Sequence, residues 1–252
     1  MKIMKRLLIL CATLAACADM LGQFNIQLHY DLGRNLNPDA EADRQLFTVT
    51  TEFFKPDRLG STFLFIDMDY RGKGTGNNGP LAAYWEMSRD FTMLKVRDTA
   101  HSLTAHIEYN GGLNTYASYQ QALLAGPAWQ WHSQDFSKTF TLQALYRQVL
   151  RSGASEAHPS FQLTTVWGVE FAKGWCTFSG YADLWYGYTP RAEKGLMFMS
   201  EPQLWVNVLG RGRQDDRLSL GTEWEVSYDF VWPAQGSRRI FLNPTVAVKY
   251  TF

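Results

Sequence analysis

The sequence predicts an all-β protein: a closed, antiparallel transmembrane β-barrel of about twelve strands. Aromatic residues make up 15% of the chain, 20 residues are glycine, and the mean hydropathy is negative, a mixture that favours short strands over long apolar helices. Many segments of about ten residues alternate between apolar and polar side chains. Beyond the N-terminal region no stretch reaches about 18 consecutive apolar residues, so the sequence predicts no transmembrane helix.

The N-terminal segment 1–22 has the plan of a secretory signal peptide, and the barrel is predicted over 23–252. A basic start is followed by an apolar run that is too short to anchor the chain in a bilayer, and then by small residues. The basic residues are Lys2, Lys5 and Arg6, and the apolar run covers 7–16. The protein is therefore expected to leave the cytoplasm.

Three cleavage positions remain open for this signal. Cleavage after Ala18 follows the A-x-A spacing, cleavage before Gln23 also fits, and cleavage before Cys17 would follow a sequence that resembles a lipobox. Strand-like alternation starts at Phe24 and leaves no spacer of the kind that lipid-tethered domains have, which favours ordinary cleavage. The mature chain then retains only Cys176 and forms no internal disulfide.

Period-two alternation supports the strands in chain order. In the first of them, Phe24, Ile26 and Leu28 lie on one face, whereas Asn25 and Gln27 lie on the other. Four later segments divide in the same way, with every Asp, Glu and Lys on the polar face. An even number of strands is usual for single-chain bacterial barrels. The twelve predicted strands cover 24–33, 45–55, 59–70, 81–96, 102–110, 116–131, 137–150, 160–172, 175–187, 196–209, 217–231 and 240–252.

Aromatic side chains stand at the ends of the apolar faces, where a membrane barrel carries its interfacial girdles. Strands of about 10 residues suit a tilted crossing of the hydrocarbon core, whereas strands of soluble proteins average about five or six. The capping residues are Tyr30, Tyr109, Phe161, Phe171, Tyr228, Phe230, Tyr250 and Phe252. Both features favour a membrane barrel over a soluble sandwich.

The chain ends on Phe252, which closes the last alternating strand. A terminal aromatic of this kind resembles the signal read by the barrel-assembly machinery, and closure is expected to pair this strand with the strand that begins at Phe24. With both termini in the periplasm, the longer connections face outward and the shorter ones inward. The charged segment 210–216 is the exception, because it is a long turn on the inner side.

The polar strand faces predict an acidic lumen with few bases, such as Arg147 and Lys249. An acidic pore concentrates cations, repels anions and offers acceptors to sugar hydroxyls. The alternative is that the acids pair with lumen bases or hydrate the pore. The predicted lumen acids are Asp31, Glu52, Asp67, Asp69, Glu86, Glu108, Glu170, Asp183, Glu201, Glu223, Glu225 and Asp229.

Candidate solute-binding residues follow from these faces. Phe63 and Phe65 share a face with acids, so that a ring would stack a base or sugar while a carboxylate binds its polar edge. Packing inside a narrow barrel is the alternative role for these rings. The candidate set is Phe63, Phe65, Asp67, Asp69, Glu108, Asp183, Glu201, Glu223 and Glu225.

Segments 178–183 and 199–205 resemble neighbouring strands of the Tsx-type nucleoside channels, in which Gly-Tyr-Ala-Asp precedes a Glu-Pro-aromatic strand. The mature chain also resembles a family of uncharacterised Bacteroides-type outer-membrane proteins grouped with those channels. The matching stretches are 25–31, 54–57, 106–112 and 171–174. The resemblance implies a monomeric barrel of about twelve strands, integral to the outer membrane, with a narrow lumen for nucleoside-like solutes. Among the binding residues of the Tsx-type channels, the resemblance implies counterparts only at Asp183 and Glu201.

The predicted function is passive uptake of small polar solutes through an outer-membrane channel, with nucleosides as one solute class. The expected partners are outer-membrane lipid, the solute and the barrel-assembly machinery. Equal numbers of basic and acidic residues, 24 each, give no basic field for nucleic acid. A closed structural or adhesion barrel is the first alternative, and a soluble periplasmic β protein is another.

An enzyme is not predicted. His106 and Asn110-Gly111 faintly resemble the motif of outer-membrane phospholipase, but position 108 is glutamate, so the nucleophile is missing. A lipid hydrolase therefore stands as the weakest alternative. No cofactor is expected, and no metal site is indicated, because three further histidines fall at predicted turns without ligand spacing. Those histidines are His101, His132 and His158.

Overall fold

The computed structural model describes residues 22–36, 46–71, 79–96, 100–114, 121–152, 156–189, 193–209, 217–230 and 239–252. Within these residues the chain forms thirteen β-strands. They are β1 (Gln23–Asp31), β2 (Leu46–Asp57), β3 (Gly60–Arg71), β4 (Pro80–Lys95), β5 (His101–Asn114), β6 (Ala122–His132), β7 (Lys138–Val149), β8 (His158–Phe171), β9 (Cys176–Tyr188), β10 (Lys194–Ser200), β11 (Gln203–Asn207), β12 (Leu218–Tyr228) and β13 (Ile240–Thr251).

Two short helical segments accompany the strands. Helix α1 (Gly33–Leu36) follows β1, and a single 3-10 turn, Ala172–Gly174, joins β8 to β9. No helix in the described parts of the chain combines the length and the apolar character that a membrane crossing requires.

The strands form one closed antiparallel barrel. Each strand from β1 to β9 pairs with the next along the chain, β12 pairs with β13, and β13 pairs back with β1. Because β10 and β11 both lie between β9 and β12, they occupy a single position in the wall. The barrel therefore has twelve strand positions, and the predicted fold class is confirmed. The predicted pairing of the last strand with the first is seen in the hydrogen bond from Phe252 N to Phe24 O at 2.9 Å.

The predicted strand 196–209 is wrong in one respect, because the wall is interrupted at Glu201 and Pro202. The Glu201 N–H donates to the Tyr181 carbonyl oxygen at 3.1 Å, and the Pro202 carbonyl accepts from the Trp224 N–H at 3.0 Å. Proline has no N–H for the ladder, which is the physical reason for the break. The interruption faces Gly180, whose φ is +151°.

The two faces of the strands are those predicted from alternation. In β1, Gln27 and His29 are almost fully buried, whereas Leu28 is half exposed. The buried face is the barrel interior, since the His29 ring contacts the Trp205 indole edge-on at 6.0 Å although β1 and β11 are not neighbours. Interior side chains are mainly polar, and the exposed large side chains are mainly apolar. This inverts the usual soluble arrangement and suits an apolar surrounding.

Aromatic pairs lie near both ends of the outer surface. At the end where β1 begins and β13 ends, called here the terminal end, the Phe24 and Phe252 rings are 5.1 Å apart and Tyr250 contacts Phe252 at 4.9 Å. Toward the opposite end, Tyr30 contacts Phe47 at 4.9 Å. Such pairs match the girdles of barrels that cross a bilayer.

The predicted strand boundaries agree with the structure to within a few residues, except that β6 begins at Ala122 rather than at 116. Most predicted outward connections fall partly outside the described residues, as does the charged segment 210–216. The predicted signal peptide also lies outside them, apart from residue 22. Its cleavage position and the state of Cys17 remain predictions.

Candidate functional site

The candidate site is the polar interior of the barrel, whose carboxylates are held mainly by neutral donors. Interior position follows from the strand faces described above. Among the described residues, the interior acids are Asp31, Glu52, Asp67, Asp69, Glu86, Asp90, Glu108, Asp183, Glu201, Glu223 and Glu225, and the interior bases are His29, His106, Arg147 and Lys249. Two predicted lumen acids differ: Glu170 is exposed near the end of β8, and Asp229 follows β12 and pairs with Arg239 at 2.9 Å. No three His, Cys, Asp or Glu side chains of the described residues converge as metal ligands.

One carboxylate group gathers around the interruption of the wall. Glu201 lies within electrostatic range of Glu223, Glu225 and Asp67, which come from opposite sides of the lumen. Glu223 accepts a hydrogen bond from Gln203 Nε2 at 2.5 Å and lies 3.7 Å from His29 Nδ1. These predicted candidates are therefore brought together, and we call the four acids the interruption cluster.

The candidates on β3 occupy the wall beside this cluster. Asp69 accepts from the Thr48 hydroxyl at 2.7 Å, and Asp67 accepts from the Thr50 hydroxyl. The Phe65 ring meets the Tyr84 ring edge-on at a centroid distance of 6.3 Å, so it packs against another lumen side chain. Phe63 stands nearer the terminal end, opposite Phe54 in the ladder. Phe63 and Phe65 thus do not form one stacking platform with both aspartates.

A second carboxylate group lies on the other side of the lumen. Glu86 is within electrostatic range of Glu108, Asp183 and the Arg147 guanidinium. The Tyr84 hydroxyl donates to Glu86 Oε1 at 2.7 Å, and the Thr164 hydroxyl donates to Asp183 Oδ1 at 2.6 Å. We call Glu86, Glu108 and Asp183 the carboxylate triplet.

His106 is a buried structural link in this part of the wall. Its Nδ1 lies 3.0 Å from Asp90 Oδ1, and its Nε2 lies 3.1 Å from Glu108 Oε2. Both ring nitrogens thus face carboxylates, and neither is bonded to a hydroxyl or thiol that could act as a nucleophile. His106 thus joins Asp90 and Glu108 in one ion-paired network.

Trp205 fills part of the lumen toward the terminal end. Its side chain is fully buried, and the Lys249 ammonium lies 4.1 Å from its ring centroid, close enough for a cation–π contact. Gly221 makes room for the indole, because a Cβ there would lie 2.3 Å from the ring. The Trp205 N–H donates to Gln203 Oε1 at 2.9 Å, which fixes its orientation.

The two segments singled out by the channel resemblance meet in space. Segment 178–183 contains Gly180, and a Cβ at that position would lie 2.5 Å from the Glu201 carbonyl oxygen and 2.9 Å from the Pro202 Cα. The Gly-Tyr-Ala-Asp and Glu-Pro segments therefore build one feature, the interruption of the wall. Tyr181 projects from it into the lumen between the two carboxylate groups, within electrostatic range of Glu201 and of Asp183.

Sequence reasoning missed several interior residues. Tyr84 and Tyr181 have the same strand parity as Glu86 and Asp183, so period two was an available signal for them. Asn110 and Trp205 were also missed. Their importance depends on which strands face each other across the lumen, and alternation along one strand carries no such information.

A closed antiparallel barrel with an apolar outer surface, aromatic girdles and a polar interior defines the class of transmembrane β-barrels. Within that class, the chain belongs to the family described as "Domain of unknown function (DUF5020)", whose model matches residues 23–252. None of the curated proteins matches the chain.

Several solved structures resemble the chain at low identity. Outer-membrane expressed OmpT of Vibrio cholerae has 5% identity and a TM-score of 0.44, with 92% of this chain and 96% of that chain covered. A bacterial polysaccharide outer membrane secretin has 9% identity and a TM-score of 0.33, covering 92% and 99%. The beta domain of the Bordetella autotransporter BrkA has 10% identity and a TM-score of 0.32, covering 91% and 99%. The class assignment rests on the chain's own strand pairing and surface, and the resemblance to nucleoside channels remains a prediction.

Proposed function

We propose that the protein is an integral outer-membrane channel for passive passage of small polar solutes, with a preference for neutral and cationic ones. The carrying observation is the interior wall of carboxylates, most of which are bonded to hydroxyl or amide donors rather than to bases. Glu201 lies within electrostatic range of three other acids, Glu223, Glu225 and Asp67. A lumen lined by one sign of charge raises the local concentration of the opposite sign.

Nucleosides are the finer solute class that we propose to test first. They are neutral, their ribose hydroxyls are donors that suit carboxylate acceptors, and their bases stack on aromatic rings. Tyr84 and Tyr181 place such rings beside acids in the lumen. The sequence resemblance to Tsx-type channels is the second support.

The test is conductance of the purified protein in a planar lipid bilayer. We expect discrete channels, a reversal potential in a KCl gradient with the sign of cation preference, and partial block by adenosine or uridine. Folded protein is verified by gel mobility that shifts on heating. Anion preference would reject the acidic-lumen argument, and absence of nucleoside block would reject the solute class alone.

A closed structural or adhesion barrel is the second candidate, and the packing of Trp205 favours it. To separate the two, Trp205→Ala is compared with Trp129→Ala on the outer surface. A channel narrowed by Trp205 gains conductance only from the interior substitution. If the native protein and both variants are silent while folded, the closed barrel is the better description.

Localisation, assembly and the absence of catalysis belong to the same proposal. We propose export directed by segment 1–22, insertion by the barrel-assembly machinery, and a monomeric state. The ion-paired environment of His106 supports a non-enzymatic role. Fractionation tests the location, because a soluble periplasmic protein would be released without detergent.

A further inference from the structure

The carboxylate triplet has a second property besides its charge: it lies next to a buried acceptor that has no donor. Asn110 is only 4% exposed and stands opposite Glu86 in the β4–β5 ladder. Its side-chain amide donates to the Tyr84 hydroxyl, and Tyr84 in turn donates to Glu86. The Asn110 Oδ1 atom is buried without a hydrogen-bond partner.

An unmet acceptor at this place points to a missing donor. Buried polar atoms are nearly always paired, and leaving one unpaired is costly. Glu86, which stands opposite Asn110, is itself an acceptor, and the Tyr84 proton already goes to Glu86. A molecule that brings N–H or O–H groups would satisfy Asn110 Oδ1 as well as the carboxylates.

Arg147 supplies only some of the hydrogen-bond donors and positive charge that these acceptors require. Its guanidinium donates through Nη1 to Gln162 Oε1 and lies 5.7 Å from the Trp185 ring centroid, while its Nε is buried and unpartnered. His106 also pairs with Glu108, but it is shared with Asp90, so Arg147 and His106 together face four carboxylates and negative charge is in excess. The unpartnered Nε–H of Arg147 also requires one hydrogen-bond acceptor. The matching occupant is therefore a cation that also carries a hydrogen-bond acceptor.

An apolar surface adjoins the charged groups. Leu124 stands opposite Arg147 in the β6–β7 ladder and packs with Leu145 and Ala122, all three almost fully buried on the lumen side. A carbon skeleton would lie against these side chains while its polar groups face the triplet, which is the usual composition of a small-molecule site.

We propose that this part of the lumen is a binding site for small hydroxylated organic amines, such as amino sugars, formed by Tyr84, Glu86, Glu108, Asn110, Arg147 and Asp183. The ammonium group binds the carboxylate triplet. A neighbouring hydroxyl donates to Asn110 Oδ1 and accepts from Arg147 Nε. This proposal rests on the proposed channel function, because it assigns a class of solute that binds in the lumen of that channel.

The test uses the purified full chain in detergent and three sugars that share one ring and differ in charge: glucosamine, glucose and glucuronate. Equilibrium binding is measured by titration calorimetry. We expect glucosamine to bind at least about tenfold more tightly than glucose, because charge-assisted hydrogen bonds are roughly twice as strong as neutral ones, and glucuronate not to bind. Equal binding of glucosamine and glucose, or no binding of glucosamine, would overturn the proposal.

Variants then locate the site. Glu86→Gln and Asp183→Asn are each expected to weaken glucosamine binding about tenfold. The matched control is Glu170→Gln, at an exposed position near the end of β8, which should leave binding unchanged. Asn110→Leu should weaken glucosamine but not cyclohexylamine, an amine without hydroxyls. Gel mobility on heating confirms that each variant is folded, and a control that loses binding as strongly as the site variants would refute the location.

The binding readout does not require conduction, so the two proposals fail separately. Specific glucosamine binding by a protein that is silent in bilayers would keep the site and reject the channel. Conduction without preferential glucosamine binding would keep the channel and reject the site.

Discussion

Gly180 shows how a single residue type shapes the barrel wall. Its φ of +151° lies in a region that side chains rarely adopt, and the backbone of Glu201 and Pro202 approaches where a Cβ would stand. The missing Cβ lets the backbone between β10 and β11 approach β9 at the place where Glu201 enters the lumen. Local geometry at one glycine is thus coupled to the position of a functional carboxylate.

Gly180→Ala is expected to lower the stability of the barrel by about 1–3 kcal/mol, because the new methyl group meets backbone atoms that cannot move aside cheaply. Urea unfolding of the protein in lipid vesicles, followed by tryptophan fluorescence, measures the change in midpoint. Gly195→Ala is the control, since a Cβ there meets only Thr189 Cγ2 at 3.4 Å. Equal midpoints for the two variants would contradict the argument.

At the scale of the strand, closure between β1 and β13 determines whether the sheet is a barrel. The register places Leu28 opposite Val248 on the outer face. Directly opposed residues in antiparallel strands have Cα atoms about 4.5–5.5 Å apart, a separation that a disulfide spans. The ends of the chain, more than 200 residues apart in sequence, are thereby brought into one ladder.

Cysteines at Leu28 and Val248, in a Cys176→Ser background, are therefore expected to form a disulfide on mild oxidation of the folded protein. Non-reducing gel electrophoresis after full denaturation detects the closed loop as a shift in mobility. The control pair, Leu28 and Leu218, lies on strands that are not neighbours and should not cross-link. If only the control pair cross-linked, β1 would pair with β12 and not with β13, and the closure described here would be wrong.

The strands illustrate what the sequence can and cannot predict. In β1 and β13, period two separates polar from apolar residues, so strand, face and closure follow from the pattern alone. The interruption between β10 and β11 leaves that pattern intact, because Glu201 and Pro202 are two residues and restore the parity. Alternation therefore predicts one continuous strand there, and only the missing N–H of Pro202 signals the break.

The candidate site was predictable as a set of acids but not as two groups. Whether a side chain faces the lumen follows from its odd or even position along the strand, and this rule correctly places Asp67 and Glu223 in the lumen. Grouping depends on the stagger between strands, which brings Glu86 to Asp183 across the lumen. The stagger between strands is set by packing around the whole barrel, so the sequence of a single strand does not determine it.

Across the whole molecule, charge is separated although the chain as a whole is neutral, with 24 basic and 24 acidic residues. The described interior carries many acids and few bases, so the remainder of the chain carries the corresponding basic excess. The field that a passing ion meets is therefore set by the lumen rather than by net charge.

This separation predicts how selectivity depends on salt. Cation preference should be strong at 0.1 M KCl and weak at 1 M, because the Debye length falls from about 10 Å to about 3 Å and the wall charges are then screened from the centre of the pore. The cation preference is measured as the reversal potential across the bilayer, with the ratio of the two KCl concentrations held fixed while both are raised. Glu201→Gln combined with Glu223→Gln should flatten the dependence, whereas Glu170→Gln should not. A salt-independent preference in the native protein would mean that pore radius, and not the carboxylate wall, sets the selectivity.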